Sequence, residues 1–385
     1  MKQKEHLLHV CSYSYESGGP ASVILNHSQF QVESGLDVSI ASSMEVNHHP
    51  YPTASGVQLY VFSPSFWSRI LSEFSWSLLF WFIKNRNKFD YIHIHGLWYF
   101  GSILPFLVPN RAKKIVTIHG FLDPYAFQRS AWKKRLLWNL IQKRYLRSAD
   151  MIHVISREEE QILLQLFPDL HAKIVFIPNG IVDPISSEIA KPSDDFVSRI
   201  KSIRNKGAFV YLFLSRINQK KGIDILVDAF EQLSKNQGDQ VQLIIAGPVD
   251  DYTTELKVRL AKYPFANIHL FDVVTGDNKA FLLREVDAFV LPSYSEGFSI
   301  AALEALAYSK PAILSTRVGF ATELISADAA LICEPELSSL YAGLSRLFIE
   351  EDYRNQLSSN ARKLFLDKYQ IKRVAHDFLI AMKQI

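Results

Sequence analysis

The chain has 385 residues, of which 48% are hydrophobic and 21% are charged, and its formal net charge is +3. This length suffices for two ordinary domains, and the apolar content excludes an intrinsically disordered protein. The small charge argues neither for nor against nucleic acid, and we expect no nucleic-acid partner.

The cysteine content predicts the compartment. Only Cys11 and Cys333 occur, each beside an apolar run, which favours two unpaired buried thiols over a disulfide. The first residues contain too short an apolar core for a secretory signal, and no window has the roughly 18 uncharged apolar residues of a membrane span. We therefore expect a cytoplasmic protein.

Short β-rich runs alternate with helical patterns along the chain, which predicts parallel βαβ units and two doubly wound Rossmann-like α/β domains. Turn and polar residues from Pro178 to Asp195 indicate a linker, so we predict domains at 1–188 and 189–369. The predicted strands are 6–10, 38–41, 57–62, 91–95, 115–119, 151–155, 174–177, 209–214, 241–246, 268–271, 288–291, 312–314 and 330–333.

Ligands of open parallel sheets bind beyond the carboxyl ends of the strands, so residues that follow each strand are site candidates. After the first strand, Gly18 and Gly19 precede Pro20, which suits the first position of a helix. Their amides could bind phosphate or acceptor hydroxyls, although the two glycines could also merely form the turn. The chain has no Gly-x-Gly-x-x-Gly after a predicted strand, which argues against a nicotinamide dehydrogenase.

Three histidines, His93, His95 and His119, lie at the ends of the fourth and fifth predicted strands, with His93 and His95 on one face. Zinc is conceivable there, but no cysteine or carboxylate has ligand spacing with them. Hydrogen-bonded histidines are the commoner arrangement at strand ends, and we expect no metal cofactor.

In the second half, Arg216 ends one predicted strand and Lys221 precedes the next helix. Across such a loop both cations can converge on one diphosphate, although a solvated surface position is the alternative. Gly247 ends the next strand and allows a close approach of backbone to ligand. The chain contains no Asp-x-Asp, so fixed cations would take the place of a metal ion on the diphosphate.

Two carboxylates, Glu296 and Glu304, lie eight positions apart across a loop-to-helix junction. Glu304 is the one polar residue in an apolar helical run, and a buried carboxylate requires hydrogen-bond donors or a cation. Both could merely interact with the helix start. Alternatively, Glu304 binds ligand hydroxyls while the amides of Gly297, Phe298 and Ser299 bind a phosphate or a sugar.

Two elements, Glu-x7-Glu at 296–304 and Arg-x4-Lys at 216–221, resemble those of the family 4 retaining glycosyltransferases, which have the GT-B fold. The resemblance extends from the glycine loop to the C-terminal helix, and Ser215 replaces the usual first glycine of the second element. It implies two Rossmann-like domains that face each other across a cleft. The first would bind the acceptor, the second the nucleotide sugar, and the helix at about 370–385 would return to the first.

The same resemblance implies a role for each matched residue. Glu304 would bind the ribose hydroxyls of a nucleotide sugar and Glu296 the hydroxyls of the transferred sugar. His119 would face that sugar, although the aspartate that usually follows this histidine is missing, since Gly120-Phe121-Leu122 precede Asp123. The backbone at Val273 would meet the nucleobase. The expected reaction is transfer from a nucleotide sugar to an acceptor hydroxyl with retention, in polysaccharide or glycolipid biosynthesis.

The segment 124–149 combines seven basic residues with apolar ones and has no acidic residue. Such a helix suits an anionic membrane or acceptor, and packing on the sheet with a solvated basic face is equally open. The segment 66–83 is similarly aromatic. Partners would be a nucleotide sugar, a glycan or lipid-linked acceptor and the inner face of a membrane. A nucleotide-sugar epimerase of the same fold and a non-catalytic accessory protein are the alternatives.

Overall fold

In the computed structural model the chain forms two compact α/β units, Met1–Val182 with Gln370–Ile385, and Asp183–Tyr369. The structure describes residues 4–15, 19–45, 47–69, 71–122, 138–185, 191–204, 207–248, 250, 252–262 and 267–385. Both units are built from parallel strands with connecting helices, as the alternating sequence pattern predicts.

The first unit contains a seven-stranded sheet in which all neighbouring strands are parallel. Its strands are β1 His6–Cys11, β2 Asp37–Ser43, β3 Gln58–Phe62, β4 Tyr91–His95, β5 Lys113–Thr117, β6 Met151–Val154 and β7 Ile174–Phe176. The spatial order is β3-β2-β1-β4-β5-β6-β7, so the direction of winding reverses between β1 and β4.

The second unit contains a six-stranded parallel sheet. Its strands are β8 Phe209–Leu214, β9 Val241–Ala246, β10 Ile268–Phe271, β11 Ala288–Leu291, β12 Ala312–Ser315 and β13 Leu331–Cys333. The order is β10-β9-β8-β11-β12-β13, and the winding reverses between β8 and β11. Ligands of doubly wound sheets bind at such a reversal, beyond the carboxyl ends of the strands.

Helices connect the strands of each sheet. Those of the first unit are Gly19–Glu33, Trp76–Asn85, Phe100–Leu107, Lys143–Ser148, Arg157–Leu166 and Ile371–Met382. Those of the second unit are Asp194–Ile203, Ile223–Gln237, Thr253–Lys262, Gly276–Glu285, Ile300–Ala307, Ala321–Ser326, Leu337–Ile349 and Glu351–Leu364. None of the helices in the described ranges is both long enough and apolar enough to cross a bilayer.

The C-terminal helix Ile371–Met382 packs on the sheet of the first unit. Its buried residues Val374, Phe378 and Met382 form one core cluster with strand residues that include Leu7 and Tyr91. The apolar stripe of this helix therefore covers part of one face of the sheet, which explains why the last sixteen residues belong to the first unit.

The predicted fold class, two doubly wound Rossmann-like domains, is confirmed by the two parallel sheets. Cys11 and Cys333 are free and buried, as predicted, and burial raises the pKa of both thiols. The predicted basic helix at 124–149 lies largely outside the described residues, and its described part contains the helix Lys143–Ser148. The assignment of the two halves to acceptor and donor stays a prediction.

Candidate functional site

The winding reversal of the second sheet is bordered by the loops that follow β8 and β11. Arg216 and Lys221 lie in the first loop, and Glu296 lies in the second. The loops are in close contact, because the peptide N–H of Tyr294 donates to the carbonyl of Lys220 at 2.9 Å. The topology thus gathers two predicted cations and one predicted carboxylate at one edge of this sheet.

Gly222 permits this contact. Its φ is +70°, and an added Cβ would lie 2.1 Å from the carbonyl oxygen of Pro292. Any other residue would therefore push the two loops apart, in addition to the strain of a left-handed backbone. Gly222 follows the single 3-10 turn Gln219–Lys221, so its small size places Lys221 against the second loop.

Lys221 and Glu296 form an ion pair in which the ammonium donates to Oε2 of the carboxylate. Only 11% and 14% of the two side chains are exposed, respectively. Because both side chains are largely buried, water screens their electrostatic attraction only weakly, and loss of either partner leaves the other charge poorly solvated. The structure therefore brings these two predicted catalytic residues together.

The backbone of Glu296 is held by the loop that follows β12. Its N–H donates to the carbonyl of Arg317 at 3.0 Å, and its own carbonyl accepts the N–H of Gly319 at 2.8 Å. The hydroxyl of Ser315 donates to the carbonyl of Ser293 at 2.6 Å. These bonds hold the carboxylate on a fixed backbone, as precise positioning of a ligand requires.

Glu304 has a partner that the sequence did not indicate. Its Oε1 accepts a hydrogen bond from the ammonium of Lys279 at 2.6 Å, and 17% of the Glu304 side chain is exposed. The ammonium of Lys279 is thus the cation that the largely buried carboxylate of Glu304 requires. Lys279 lies in the helix Gly276–Glu285, and no local spacing links it to Glu304, so only the packing of the two helices reveals it.

The start of the helix Ile300–Ala307 is capped by its own chain. The hydroxyl of Ser299 accepts the N–H of Ala302 at 3.1 Å, so this amide is not available to a ligand. Phe298 is buried and stacks on Phe320 with ring centroids 4.6 Å apart. The Phe298 side chain therefore belongs to the core, and the backbone amides of Gly297, Phe298 and Ser299 stay the predicted ligand contacts.

Gly247 and Arg216 lie at the ends of neighbouring strands. An added Cβ at Gly247 would lie 1.8 Å from the carbonyl oxygen of Ser215, so the close approach that this glycine permits is to its own chain. Arg216 is exposed, and no ion-pair partner of its guanidinium occurs in the described ranges. Val273, after β10, is 58% exposed.

In the first unit, His119 lies two residues beyond β5 rather than at the end of a strand. It has a left-handed backbone with φ of +53°, as has Gly120 with φ of +75°. A left-handed backbone at a non-glycine residue is strained and persists where the surroundings enforce it.

Of the two glycines predicted to bind a ligand after the first strand, Gly19 begins the helix Gly19–Glu33, and Gly18 lies outside the described residues.

Glu159, which the sequence did not single out, holds the turn at His119. Its Oε1 accepts the N–H of Gly120 at 2.6 Å and its Oε2 the N–H of Ile155 at 2.9 Å. Burial raises the pKa of Glu159 to about 7, and the two amide donors oppose this rise. The carboxyl group thus links the loops that follow β5 and β6.

His93 and His95 share one face of β4, as predicted, with ring centroids 3.9 Å apart. With His9 they form a buried group whose ligand atoms lie within 4.8 Å of one another. Both ring nitrogens of His9 and of His95 already have hydrogen-bond partners, as does Nε2 of His93. A metal ion would have to break these bonds, so hydrogen bonding is the better account of the cluster.

Two family models match the chain. Residues 17–183 match the model described as Glycosyltransferase Family 4, and residues 194–364 match the model described as Glycosyl transferases group 1. Among curated relatives, D-rhamnosyltransferase WbpZ of Pseudomonas aeruginosa is 27% identical over 304 residues, which are 76% of this chain and 74% of the relative. An uncharacterized glycosyltransferase of Methanocaldococcus jannaschii is 25% identical over 250 residues, 63% of each chain.

Solved structures share the fold. Sucrose-phosphate synthase from Thermosynechococcus elongatus superposes with a TM-score of 0.80 at 18% identity, covering 99% of both chains. The structure of HepE from Anabaena in complex with UDP-glucose gives a TM-score of 0.75 at 16% identity, covering 99% of this chain and all of that one. With both halves matched by family models and the fold shared, the chain belongs to the family 4 glycosyltransferases of the GT-B fold.

Proposed function

We propose that this glycosyltransferase moves a sugar from a nucleotide sugar to an acceptor hydroxyl, without a metal ion and with retention of configuration. The observation that carries the proposal is the ion pair of Lys221 and Glu296 at the winding reversal of the second sheet. Arg216 lies on the same loop as Lys221. A cation and a carboxylate fixed side by side suit a ligand that is anionic at one end and rich in hydroxyl groups at the other.

In this proposal Lys221 and Arg216 stabilise the diphosphate as it leaves. Negative charge develops on the leaving group in the transition state, and preorganised donors there contribute roughly 3–4 kcal/mol each in measured cases. Glu296 would accept hydrogen bonds from the transferred sugar and His119 would contact the same sugar. Glu304 would accept those of the ribose, with the backbone of Gly247 and Val273 near the nucleotide.

A nucleotide-sugar donor is supported by the related structure that holds UDP-glucose, and transfer of a sugar by the relative named as a rhamnosyltransferase. A polysaccharide or glycolipid product is part of the proposal. Retention of configuration is supported by the resemblance to the family 4 retaining glycosyltransferases. Independence from metal rests on the two cations, because they would supply the positive charge that a metal ion supplies elsewhere.

The acceptor of this proposal is a glycan or a lipid-linked molecule at the inner face of an anionic membrane. An exposed aromatic surface in the first unit supports this, formed by Phe66, Trp67, Trp76 and Phe80, which are 47–76% exposed. The N–H of Trp76 donates to the hydroxyl of Ser65, so the two ends of this surface are adjacent. Large aromatic groups at this exposure are typical of membrane-interface contacts.

The charge near the aromatic surface is also suited to anionic lipid. Lys84, Arg86 and Lys88 follow it in the sequence, and Glu73 is the one acidic residue of segment 66–88. Burial raises the pKa of Glu73 to about 7, so its negative charge is reduced at neutral pH. The combination of exposed aromatic rings and net positive charge favours peripheral binding to an anionic bilayer.

The test is to incubate the full chain with a panel of UDP-, GDP-, ADP- and dTDP-sugars, with and without vesicles that carry lipid extracts. We expect release of free nucleotide from one donor class, undiminished by a chelator, and a product with the anomeric configuration of the donor. Conversion of the donor sugar without nucleotide release would favour an epimerase instead. No change in any donor would contradict the proposal and favour an accessory protein.

A further inference from the structure

A line of hydrogen-bonded side chains leads through the first sheet to His119. Oε1 of Gln31 lies 2.8 Å from Nε2 of His9, and Nδ1 of His9 lies 2.9 Å from Nε2 of His95. Nδ1 of His95 lies 3.0 Å from Nε2 of His119. The line joins the helix Gly19–Glu33, β1, β4 and the turn after β5, and Gln31, His9 and His95 are buried.

The rings in this line are neutral. Burial lowers the pKa of His9 to about 4 and that of His119 to about 3, and it lowers the pKa of His95 well below its usual range. A neutral imidazole has one N–H and one lone pair. Consecutive neutral rings must therefore donate in the same direction along the line, and the group at its end decides which direction that is.

Gln31 is that end group. A carbonyl oxygen only accepts, so His9 must donate from Nε2 to Oε1 of Gln31, which leaves Nδ1 of His9 as an acceptor. His95 then donates from Nε2 to His9, and His119 donates from Nε2 to His95. The remaining ring nitrogen of His119, Nδ1, consequently carries a lone pair.

A second line in the same sheet obeys the same rule. Nε2 of His153 lies 2.7 Å from the carbonyl oxygen of Ile177, which can only accept. The Thr117 hydroxyl lies 2.8 Å from Nδ1 of His153 and 2.6 Å from Nε2 of His93, so it donates to the first and accepts from the second. A terminal carbonyl thus also sets the tautomer of His93, three hydrogen bonds away.

We propose that Gln31 is a positioning residue, which acts through His9 and His95 to hold His119 as the Nε2–H tautomer with an accepting Nδ1. The contact of that nitrogen with a sugar rests on the proposed function. His119 then accepts a hydrogen bond from a sugar hydroxyl and does not supply a proton to the leaving group. A donor sugar that lacks this hydroxyl would leave the nitrogen unpaired, so the tautomer selects hydroxylated sugars.

The experiment is NMR of the full chain labelled with ¹⁵N-histidine at neutral pH, with the His119 ring assigned by comparison with His119→Asn. The expected wild-type spectrum has a proton on Nε2 of His119 and none on Nδ1. A proton on Nδ1 in the wild-type protein would overturn the proposal. This measurement needs no substrate, so it can fail or succeed independently of the proposed transfer activity.

Two substitutions at Gln31 test the cause. Gln31→Leu removes the acceptor, and we expect a mixture of tautomers at His119, whereas Gln31→Glu keeps an accepting oxygen and should keep the wild-type signature. His27→Leu is the matched control, because His27 is buried on the same helix and its ring nitrogens have no hydrogen-bond partner among the described residues. An unchanged His119 tautomer in Gln31→Leu would refute the role of Gln31.

If Gln31→Leu does not fold, His9→Phe keeps an aromatic ring, removes the acceptor of His95 and interrupts the line one ring further, so the same outcomes apply. With an active donor, Gln31→Leu should lower kcat/KM roughly tenfold, the worth of one hydrogen bond. Gln31→Glu should restore it. Loss of the Nε2–H signature with unchanged kcat/KM would show that the tautomer does not serve sugar binding.

Discussion

Lys221 and Glu296 lie 75 positions apart in the sequence and form an ion pair at the carboxyl edge of the second sheet. Each charge is kept in place by the other and by the loops that Gly222 brings into contact. Binding of an anionic ligand at Lys221 would add a second anion to this pair, so the pair is the first element to test.

Replacement of Lys221 by alanine should lower nucleotide release by about 10²–10³-fold, because a fixed cation is lost from the developing diphosphate charge. The activity assay should be accompanied by thermal unfolding, since the unpaired Glu296 also destabilises the fold. The double variant Lys221→Met with Glu296→Gln should recover stability but not activity. Lys201→Ala, at an exposed position of the same unit, is the control. Wild-type turnover in Lys221→Ala would contradict the role.

Glu304→Ala should weaken nucleotide binding by roughly 10–150-fold, the equivalent of the 1.5–3 kcal/mol of a hydrogen bond to a charged group. Isothermal titration calorimetry with the nucleotide product measures this. Lys279→Met removes the partner of Glu304 in the structure and should change affinity less, because the carboxylate remains. If Glu304→Ala loses stability at unchanged affinity, the carboxylate serves only to neutralise Lys279.

Gly247→Ala should destabilise the second unit. A left-handed backbone alone costs a non-glycine residue about 1–2 kcal/mol, and we expect a larger loss here. The added methyl would meet the carbonyl of Ser215 at 1.8 Å, and a strand end cannot easily move away. Amide hydrogen exchange in β9 measures the loss. Gly207→Ala is the control, since its φ is +74° and no atom of the described residues lies within 4 Å of the added methyl. Equal losses in both variants would show that the contact with Ser215 is relieved at no cost.

The first unit should lose stability as the pH falls from about 6.5 to about 4. Histidines whose folded pKa lies below the unfolded value bind more protons when unfolded, so each lowers the free energy of unfolding as the pH falls through that window. The carboxyl groups of Glu73 and Glu159, whose pKa is raised to about 7, favour the folded state as the pH falls. Six histidines act in the opposite direction, so we expect a net loss of stability. The six are His9, His27, His93, His95, His119 and His153.

Tryptophan fluorescence measures this loss selectively, because all six tryptophans occur before residue 139. Urea unfolding at several pH values should show a shallower pH dependence in His27→Leu, which removes a buried histidine whose ring has no hydrogen-bond partner in the described part of the chain. His376→Gln, at an exposed position of the C-terminal helix, should behave as the wild type. A stability that is flat between pH 4 and 6.5 would contradict the argument.

Substitution of Trp76 and Phe80 by serine should lower binding to anionic vesicles by tenfold or more, since burial of each large apolar side chain is worth about 1.5–3 kcal/mol. Co-sedimentation with vesicles of anionic and of zwitterionic phospholipid measures this, and binding should weaken with added salt. Ile325→Ser, at a site of the second unit that is 59% exposed, is the control. Equal binding of both variants would indicate that lipid contacts another surface.

The sequence predicted the features that depend on neighbouring residues. The alternation of strands and helices determined two parallel sheets, and the spacing of Arg216 with Lys221 and of Glu296 with Glu304 indicated the loops at one sheet edge. These features follow from the chain itself, because a strand end and the next helix start are joined by few residues. The free, buried state of Cys11 and Cys333 was predictable from the apolar runs beside them.

Only the tertiary structure showed which residues meet across long separations in sequence. Lys279 reaches Glu304 because their helices pack together, and the carbonyl of Ser215 lies so close to Gly247 that only glycine fits there. The line from Gln31 to His119 exists because β1, β4 and β5 are neighbours in the sheet. The sequence marks polar groups that need partners but not the partners themselves. Pairing is decided by strand order and side-chain packing, which depend on the burial of the whole core rather than on local spacing.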